Sequence, residues 1–139
     1  MNRGSSKLKR DVRVAADAAL RQIERHLGFE NVQFIILYGS AGEDRMTGES
    51  DIDLCLYYDG DRNEAAQFRH AILSGLSGTR FDIKIFQSLP LYVRMEVLRG
   101  TPVFIRDQVF LYDKAVETIK DFDNFKHRLF DYTGQAAMP

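Results

Sequence analysis

The segment Phe34-Ile35-Ile36-Leu37-Tyr38-Gly39-Ser40 combines an apolar run with a glycine-serine break. The run from Phe34 to Leu37 is continuous and apolar, which is typical of a short strand that is buried on both faces. Gly39 permits close approach of the backbone to a ligand, and Ser40 offers a hydroxyl and a backbone N–H. If a helix begins at this break, its first N–H groups have no partner within the helix and can hold a phosphate.

A second strand is predicted from Asp51 to Tyr58, where apolar and polar residues alternate. Because side chains two positions apart share a face of a strand, Asp51, Asp53 and Cys55 should point the same way. The opposite face, which we expect to enter the core, consists of Ile52, Leu54 and Leu56.

The pair Asp51 and Asp53 requires an electrostatic explanation. At about 4 Å and an effective dielectric constant of about 20, two carboxylates repel each other by roughly 4 kcal/mol. Protonation, a bound cation or high exposure to solvent must relieve that repulsion. A hard divalent ion suits such a pair when substrate phosphates complete its ligand shell. The alternative is a solvated strand end with two ordinary surface aspartates.

These segments together resemble the signature of the polymerase-β-type nucleotidyltransferases, and most closely the minimal nucleotidyltransferase (MNT) group. The family pattern is Gly-Ser, a short loop, and then Ser-Asp-x-Asp-Leu. Here nine residues separate Ser40 from Ser50, and Asp51-Ile52-Asp53-Leu54 follows. The family site also contains a third acid on a later strand, and Phe81-Asp82-Ile83-Lys84-Ile85-Phe86 supplies one. Asp82, Lys84 and Phe86 should share a face of that strand.

The resemblance implies an α/β (α+β) fold of the polymerase-β-like type, with a small mixed sheet flanked by helices. It also implies a site for Mg²⁺ or Mn²⁺ and for ATP as substrate. The catalytic and metal-binding residues would be Asp51, Asp53 and Asp82. The nucleotide-binding residues would be Gly39, Ser40, Ser50 and Arg45.

The loop departs from the family pattern at two positions. The family usually continues Gly-Ser-x-Ala-Arg-Gly, whereas Glu43 and Asp44 stand at the arginine and glycine positions here. An arginine would assist binding of the triphosphate, and an acid repels it. Arg45 is the neighbouring residue that we expect to take over this role.

Length and composition limit the classes of protein. A chain of 139 residues predicts one domain, which we place at residues 11–139 after a disordered lead-in over residues 1–10. The formal net charge of −1 gives no strong attraction to nucleic acid. The single Cys55 excludes an internal disulfide framework and fits a cytoplasmic protein. No apolar stretch is long enough to predict a membrane span.

Helical periodicity and turn residues place the remaining elements. We predict a helix from about Asp11 to Leu27 and another that begins after the cap residue Asp61. A third helix should follow Pro90 and end at Gly100. The segment Thr101 to Arg106 reads as a short strand, and its proline places it toward an edge of the sheet.

The last predicted helix runs from about Gln108 to Tyr132 and is rich in aromatic residues. Two interpretations remain open for it. It covers the sheet, or part of its apolar surface binds a partner, because unusually large apolar patches mark interfaces. Two interpretations also remain open for Lys84, which either neutralises charge at the candidate site or forms an ordinary ion pair.

Small members of the MNT group resemble antitoxins encoded with a partner of the HEPN type (higher eukaryote and prokaryote nucleotide-binding). Such antitoxins transfer AMP from ATP to a tyrosine of the partner RNase. The resemblance therefore implies a protein adenylyltransferase that forms a hetero-oligomer with a HEPN toxin and neutralises it. Neither a membrane nor a nucleic acid is expected as a direct partner.

Three other functions remain open from the sequence. The first is a non-catalytic antitoxin that masks its partner, because the acids Glu43 and Asp44 weaken triphosphate binding. The second is transfer to a small molecule such as an aminoglycoside, although enzymes of that kind usually carry an extra domain for the acceptor. The third is a metal-dependent glycosyltransferase, which leaves the Gly39-Ser40 turn and Asp82 without a role.

Overall fold

The computed structural model describes residues 3–39, 52–76 and 81–133, which form a four-stranded sheet flanked by helices. Short 3₁₀ turns occupy Phe29–Asn31 and Phe86–Ser88. In chain order the main elements are α1 (Arg3–Ile23), β1 (Val32–Tyr38), β2 (Ile52–Tyr58), α2 (Arg62–Gly75), β3 (Phe81–Ile85), α3 (Leu91–Leu98), β4 (Thr101–Ile105) and α4 (Gln108–Thr133).

The sheet is mixed and has the strand order β3-β2-β1-β4. β1 pairs antiparallel with both β2 and β4, whereas β2 and β3 are parallel. Parallel neighbours need a crossover connection, and α2 provides it between β2 and β3. The predicted mixed sheet flanked by helices is therefore confirmed.

β1 lies between β2 and β4 in the sheet. Both of its faces are covered, as its continuous apolar sequence predicted. One face packs with Val12, Ala16 and Ile23 of α1 and with Phe68 and Ile72 of α2. The other face packs with α3 and the start of α4 in a second apolar cluster. That cluster contains Phe34, Ile36, Tyr38, Cys55, Phe86 and Val97, with Phe110 and Leu111 at its margin.

The alternation predicted for the second and third strands is confirmed over their described residues. Leu54 and Leu56 enter the cluster beneath α1 and α2, and Cys55 enters the opposite one. Ile83 and Ile85 likewise face α1 and α2. Both faces of β2 are thus apolar along most of its length, and Asp53 lies toward the end at which Ile52 begins the strand.

The first helix has different bounds from those predicted. It begins at Arg3, whereas residues 1–10 were expected to form a disordered lead-in. Lys and Arg favour helix almost as well as Leu, so the helix continues beyond the apolar stripe that predicted it. It ends at Ile23, and the chain then passes through turns to Gly28, which has a left-handed φ of +101°. Leu27, predicted inside the helix, is 96% exposed as a result.

The other helix boundaries agree closely with the sequence. Asp61 caps α2 through a capping box: its side chain accepts from the backbone N–H of Glu64, and the Glu64 side chain accepts from that of Asp61. Pro90 precedes α3 directly. β4 lies at the edge of the sheet, the position that Pro102 predicted.

α4 supports both interpretations that the sequence left open. Its first half packs on the second cluster through Phe110 and Leu111. Its second half carries exposed apolar side chains, among which Phe125 is 49% and Leu129 46% exposed. Among the described residues, none of the helices combines the length and apolar character needed to span a bilayer.

Candidate active site

The parallel pairing of β2 and β3 brings two of the predicted acids together. Asp53 and Asp82 are register partners on these neighbouring strands, and neighbouring strands lie about 4.8 Å apart. Tyr38 is the register partner of Asp53 on β1. Residues opposite each other in a sheet project from the same face. Tyr38, Asp53 and Asp82 therefore form a row across three strands.

Gly39 brings the backbone directly against the Asp53 carboxylate. It has a φ of +74°, in the left-handed region that favours glycine. A Cβ atom at this position would lie 2.6 Å from Oδ2 of Asp53, which is closer than such atoms approach. The turn and the acid that the sequence assigned to one site are therefore in contact.

Asp82 is held by two cations. The Lys84 Nζ lies 3.4 Å from one carboxylate oxygen, and an Arg69 guanidinium nitrogen lies 4.0 Å from the other. Arg69 is itself anchored, since its Nε–H donates to the backbone carbonyl of Ile83. The Asp82 side chain is about one-third exposed, so solvent screens these pairs and their main effect is orientation. Lys84 thus both forms an ion pair and neutralises charge at the site.

Tyr38 is a site residue that the sequence reasoning missed. Burial raises the pKa of its hydroxyl far above the ordinary value, and the charge that Cys55 carries once it ionises and the charges of Asp53 and Asp82 add to the shift. The hydroxyl therefore remains protonated over the physiological range and can act as a hydrogen-bond donor beside the acids. Its place immediately before Gly39 was the only sequence signal available for it.

Cys55 shares the strand face of Asp53 but plays a different part. It is fully buried, and burial raises the pKa of its thiol well above the ordinary value. A thiol in that environment is neutral and unreactive. Cys55 is therefore a small apolar side chain that packs within the second cluster.

A small cavity of about 170 Å³ adjoins Gly39 on the side away from Asp82. Glu96 and Arg99 from the end of α3 line it, together with Tyr38 and Thr101. Arg99 therefore contributes positive charge beside the turn that we expect to hold phosphates. No sequence pattern pointed to this position.

The remaining predicted residues lie outside the described part of the chain. They are Ser40, Arg45, Ser50 and Asp51, together with Glu43 and Asp44 of the loop. Within residues 3–39, 52–76 and 81–133, no group of three His, Cys, Asp or Glu side chains is placed to hold a metal ion. Asp53 and Asp82 do supply carboxylate oxygens on one face, the donor type that Mg²⁺ and Mn²⁺ prefer.

Comparison with known proteins identifies the family. Residues 21–109 match the family described as Polymerase beta, Nucleotidyltransferase, and this match covers more than half of the chain. The chain belongs to that family. A relative of this nucleotidyltransferase from Methanocaldococcus jannaschii, named "Putative protein adenylyltransferase MJ1547", is 35% identical over 95 residues. The aligned part is 68% of this chain and 73% of the relative.

Three solved structures share the fold of this nucleotidyltransferase. The toxin–antitoxin pair MntA-HepT matches with a TM-score of 0.62 and 17% identity, over 86% of this chain and 95% of the solved one. A toxin–antitoxin structure with AMP-PNP gives 0.65 and 19%, over 85% and 95%. A tri-AMPylated Shewanella oneidensis HEPN toxin in complex with MNT antitoxin gives 0.59 and 17%, over 91% and 96%. The expected polymerase-β-like fold of the MNT type is confirmed.

Proposed function

We propose that this nucleotidyltransferase is an MNT antitoxin that transfers AMP from ATP to a tyrosine of a HEPN-type toxin and thereby neutralises it. The observation that carries the proposal is the row of Asp53 and Asp82 beside the Gly39 turn. The likeness to an adenylyltransferase and to toxin–antitoxin structures supports the same function. The tri-AMPylated toxin in one of those structures supports transfer of more than one AMP.

The proposed donor site lies on the Gly39 side of the acid row. Gly39 and Ser40 hold the terminal phosphates through N–H and hydroxyl donors, with Ser50 and Arg45 in supporting roles. Arg99 adds positive charge at the adjoining cavity. A divalent cation such as Mg²⁺, held by Asp51, Asp53 and Asp82, supplies charge stabilisation to the triphosphate.

The proposed chemistry is an in-line displacement at the α-phosphorus of ATP. The acceptor hydroxyl oxygen forms the new bond to phosphorus, and the bond to the pyrophosphate oxygen breaks. Asp82 receives the proton of the acceptor hydroxyl, so that the products are an AMPylated tyrosine and pyrophosphate. Lys84 and Arg69 keep the Asp82 carboxylate in place for this step. The neutral Tyr38 hydroxyl adds no negative charge to the site.

The first test mixes this protein with a HEPN-type partner, ATP and Mg²⁺ and follows the intact mass of the partner. We expect mass gains in AMP units with the wild-type protein. Asp53→Asn should reduce the rate by at least about 10²-fold, because a carboxylate that would bind the cation, and through it the phosphates, is lost. Asp59→Asn is the matched control, since Asp59 is exposed and follows the opposite end of β2. Omission of Mg²⁺ should abolish transfer.

Masking without catalysis is the second candidate function, and the exposed apolar side chains of α4 favour it. Ile119, Phe125 and Leu129 are about half exposed, and an apolar groove of about 410 Å³ runs between α4 and the β4 side of the sheet. Asp53→Asn separates the two candidates. If that variant still neutralises the RNase activity of the partner in full, binding alone suffices and the transfer proposal fails.

A further inference from the structure

A second cavity lies beyond Asp82, on the opposite side of the acid row from Gly39. It has a volume of about 290 Å³ and is formed between α2 and the edge strand β3. That size is close to the lower end of small-molecule sites, roughly 300 Å³. Its lining includes Arg62, Ala65, Ala66, Arg69, Lys84 and Leu89.

The cavity is strongly basic. Three of the side chains that line it are cations, namely Arg62, Arg69 and Lys84, and the described residues of its lining include no acid. Two of these cations also contact Asp82, at 4.0 Å and 3.4 Å. The cavity is therefore joined to the candidate base through the side chains of Arg69 and Lys84.

The lining of the cavity combines aliphatic and cationic side chains. Ala65 and Ala66 present only methyl groups, and Ile85 and Leu89 add aliphatic surface. The cationic groups come from Arg62 at the first position of α2, from Arg69 two turns later, and from Lys84 on β3. A lining that combines cationic and aliphatic side chains suits an anionic group that is attached to an apolar or aromatic body.

The strand order decides which substrate approaches this cavity. Gly39 follows β1, Asp53 is on β2 and Asp82 is on β3, which forms the edge of the sheet. The donor phosphates lie at the Gly39 end of this row under the proposed function. The cavity reaches Asp82 through Arg69 and Lys84 on the β3 side of the row, so a group bound in it lies on the acceptor side of Asp82 and not on the donor side.

We infer that the cavity between α2 and β3 is an anion-binding subsite for the acceptor protein. It takes a carboxylate or phosphate group of the acceptor, and the inference rests on the proposed function given above. The anion has two possible sources on the acceptor. One is an acidic side chain near the target tyrosine, and the other is the phosphodiester left by a preceding AMP transfer.

Arg62→Glu is the variant that tests the subsite. Arg62 is exposed and does not contact Asp82, and an acid in the first turn of a helix is favourable, so the variant should fold. We expect KM for the acceptor protein to rise about tenfold while KM for ATP stays unchanged. Arg25→Glu is the control, because it makes the same charge change away from the cavity. Arg25 is next to His26, whose side chain lies against Gly75 at the opposite end of α2.

The time course of partner mass distinguishes the two sources of the anion. Slowing of the first AMP transfer assigns the subsite to an acidic side chain, and slowing of later transfers alone assigns it to the phosphodiester. Unchanged kinetics overturn the inference. A rise in KM for ATP also overturns it, since the cavity would then serve the donor.

A binding measurement keeps the inference separate from the proposed function. NMR of the Ala65 and Ala66 methyl groups is followed during titration with AMP and, separately, with a tetraglutamate peptide. Saturable shifts with either probe that are lost in Arg62→Glu support an anion site even if the wild-type protein transfers nothing to the partner. Absence of such shifts with both probes overturns the inference, whatever the transfer assay shows.

Discussion

At Gly39 the backbone has a φ of +74° and touches the Asp53 carboxylate. The family signature contains glycine here for two physical reasons that act together. The left-handed conformation costs other residues roughly 1–2 kcal/mol. In addition, any Cβ at this position would collide with the Asp53 carboxylate. A single residue thus links the phosphate-binding turn to the carboxylate row.

Gly39→Ala should therefore impair catalysis more than stability. Displacement of the Asp53 carboxylate by about 1 Å is expected to lower the rate of AMP transfer about 10²-fold, with a loss of roughly 1–2 kcal/mol in the free energy of unfolding. Single-turnover transfer and urea unfolding measure the two effects. Gly75→Ala is the control, because its Cβ meets only the end of the His26 side chain. A Gly39→Ala protein with the wild-type rate would contradict this role.

At the scale of elements, α2 connects the fold to the site. It forms the crossover between the parallel strands β2 and β3, and it carries Arg69 to the carboxylate of Asp82. Phe68 and Ile72 bury its inner face against the sheet. α2 therefore positions Asp82, the register partner of Asp53, and also supplies Arg69, which holds the Asp82 carboxylate.

The capping box at the start of α2 is a separate source of stability. Asp61→Ala removes the acceptor of the Glu64 N–H, a hydrogen bond of 2.8 Å, and should lower the free energy of unfolding by about 1 kcal/mol. Urea denaturation measures the change. Asp61→Asn retains a side-chain oxygen at the cap and should lose only a few tenths of a kcal/mol, roughly. Equal losses in the two variants would argue against the cap.

At the scale of the whole molecule, burial of two ionisable groups makes stability depend on alkaline pH. Burial raises the pKa of the Cys55 thiol and of the Tyr38 hydroxyl above their ordinary values of about 8.5 and 10. As the pH rises past those ordinary values, the unfolded chain loses these protons while the folded protein keeps them. The unfolded state then binds fewer protons, so the free energy of unfolding falls.

Urea unfolding at pH values from about 7 to about 10 tests this dependence. The contribution of the buried thiol should be complete below about 8.5 and should decline above it. Cys55→Ala lowers stability at neutral pH but should show a shallower decline between about 8.5 and 10. Tyr38→Phe is the comparison variant, and it should retain the decline due to the thiol. Parallel pH profiles for wild type and Cys55→Ala would contradict the assignment.

The strand features that were predicted correctly depend on local sequence pattern. The apolar run that begins at Phe34 predicted a strand that is covered on both faces. The alternation around Asp53 predicted which side chains of β2 share a face, and Pro102 predicted that β4 lies at an edge of the sheet. Each of these follows from side-chain periodicity or from a missing backbone N–H, which are properties of neighbouring residues. The end of α1 was predicted too late, because Leu27 continues the helical spacing although the helix already ends at Ile23.

The family, the order of the elements and the residue types of the candidate site could all be predicted from the amino-acid sequence. Three features arise only in the folded protein: Asp53 and Asp82 are register partners, Arg69 reaches Asp82, and a cavity with cationic side chains opens beyond them. The physical reason is that strand and helix patterns repeat over a few residues, whereas these contacts arise when the α2 crossover packs on the sheet and sets the register of β3 against β2.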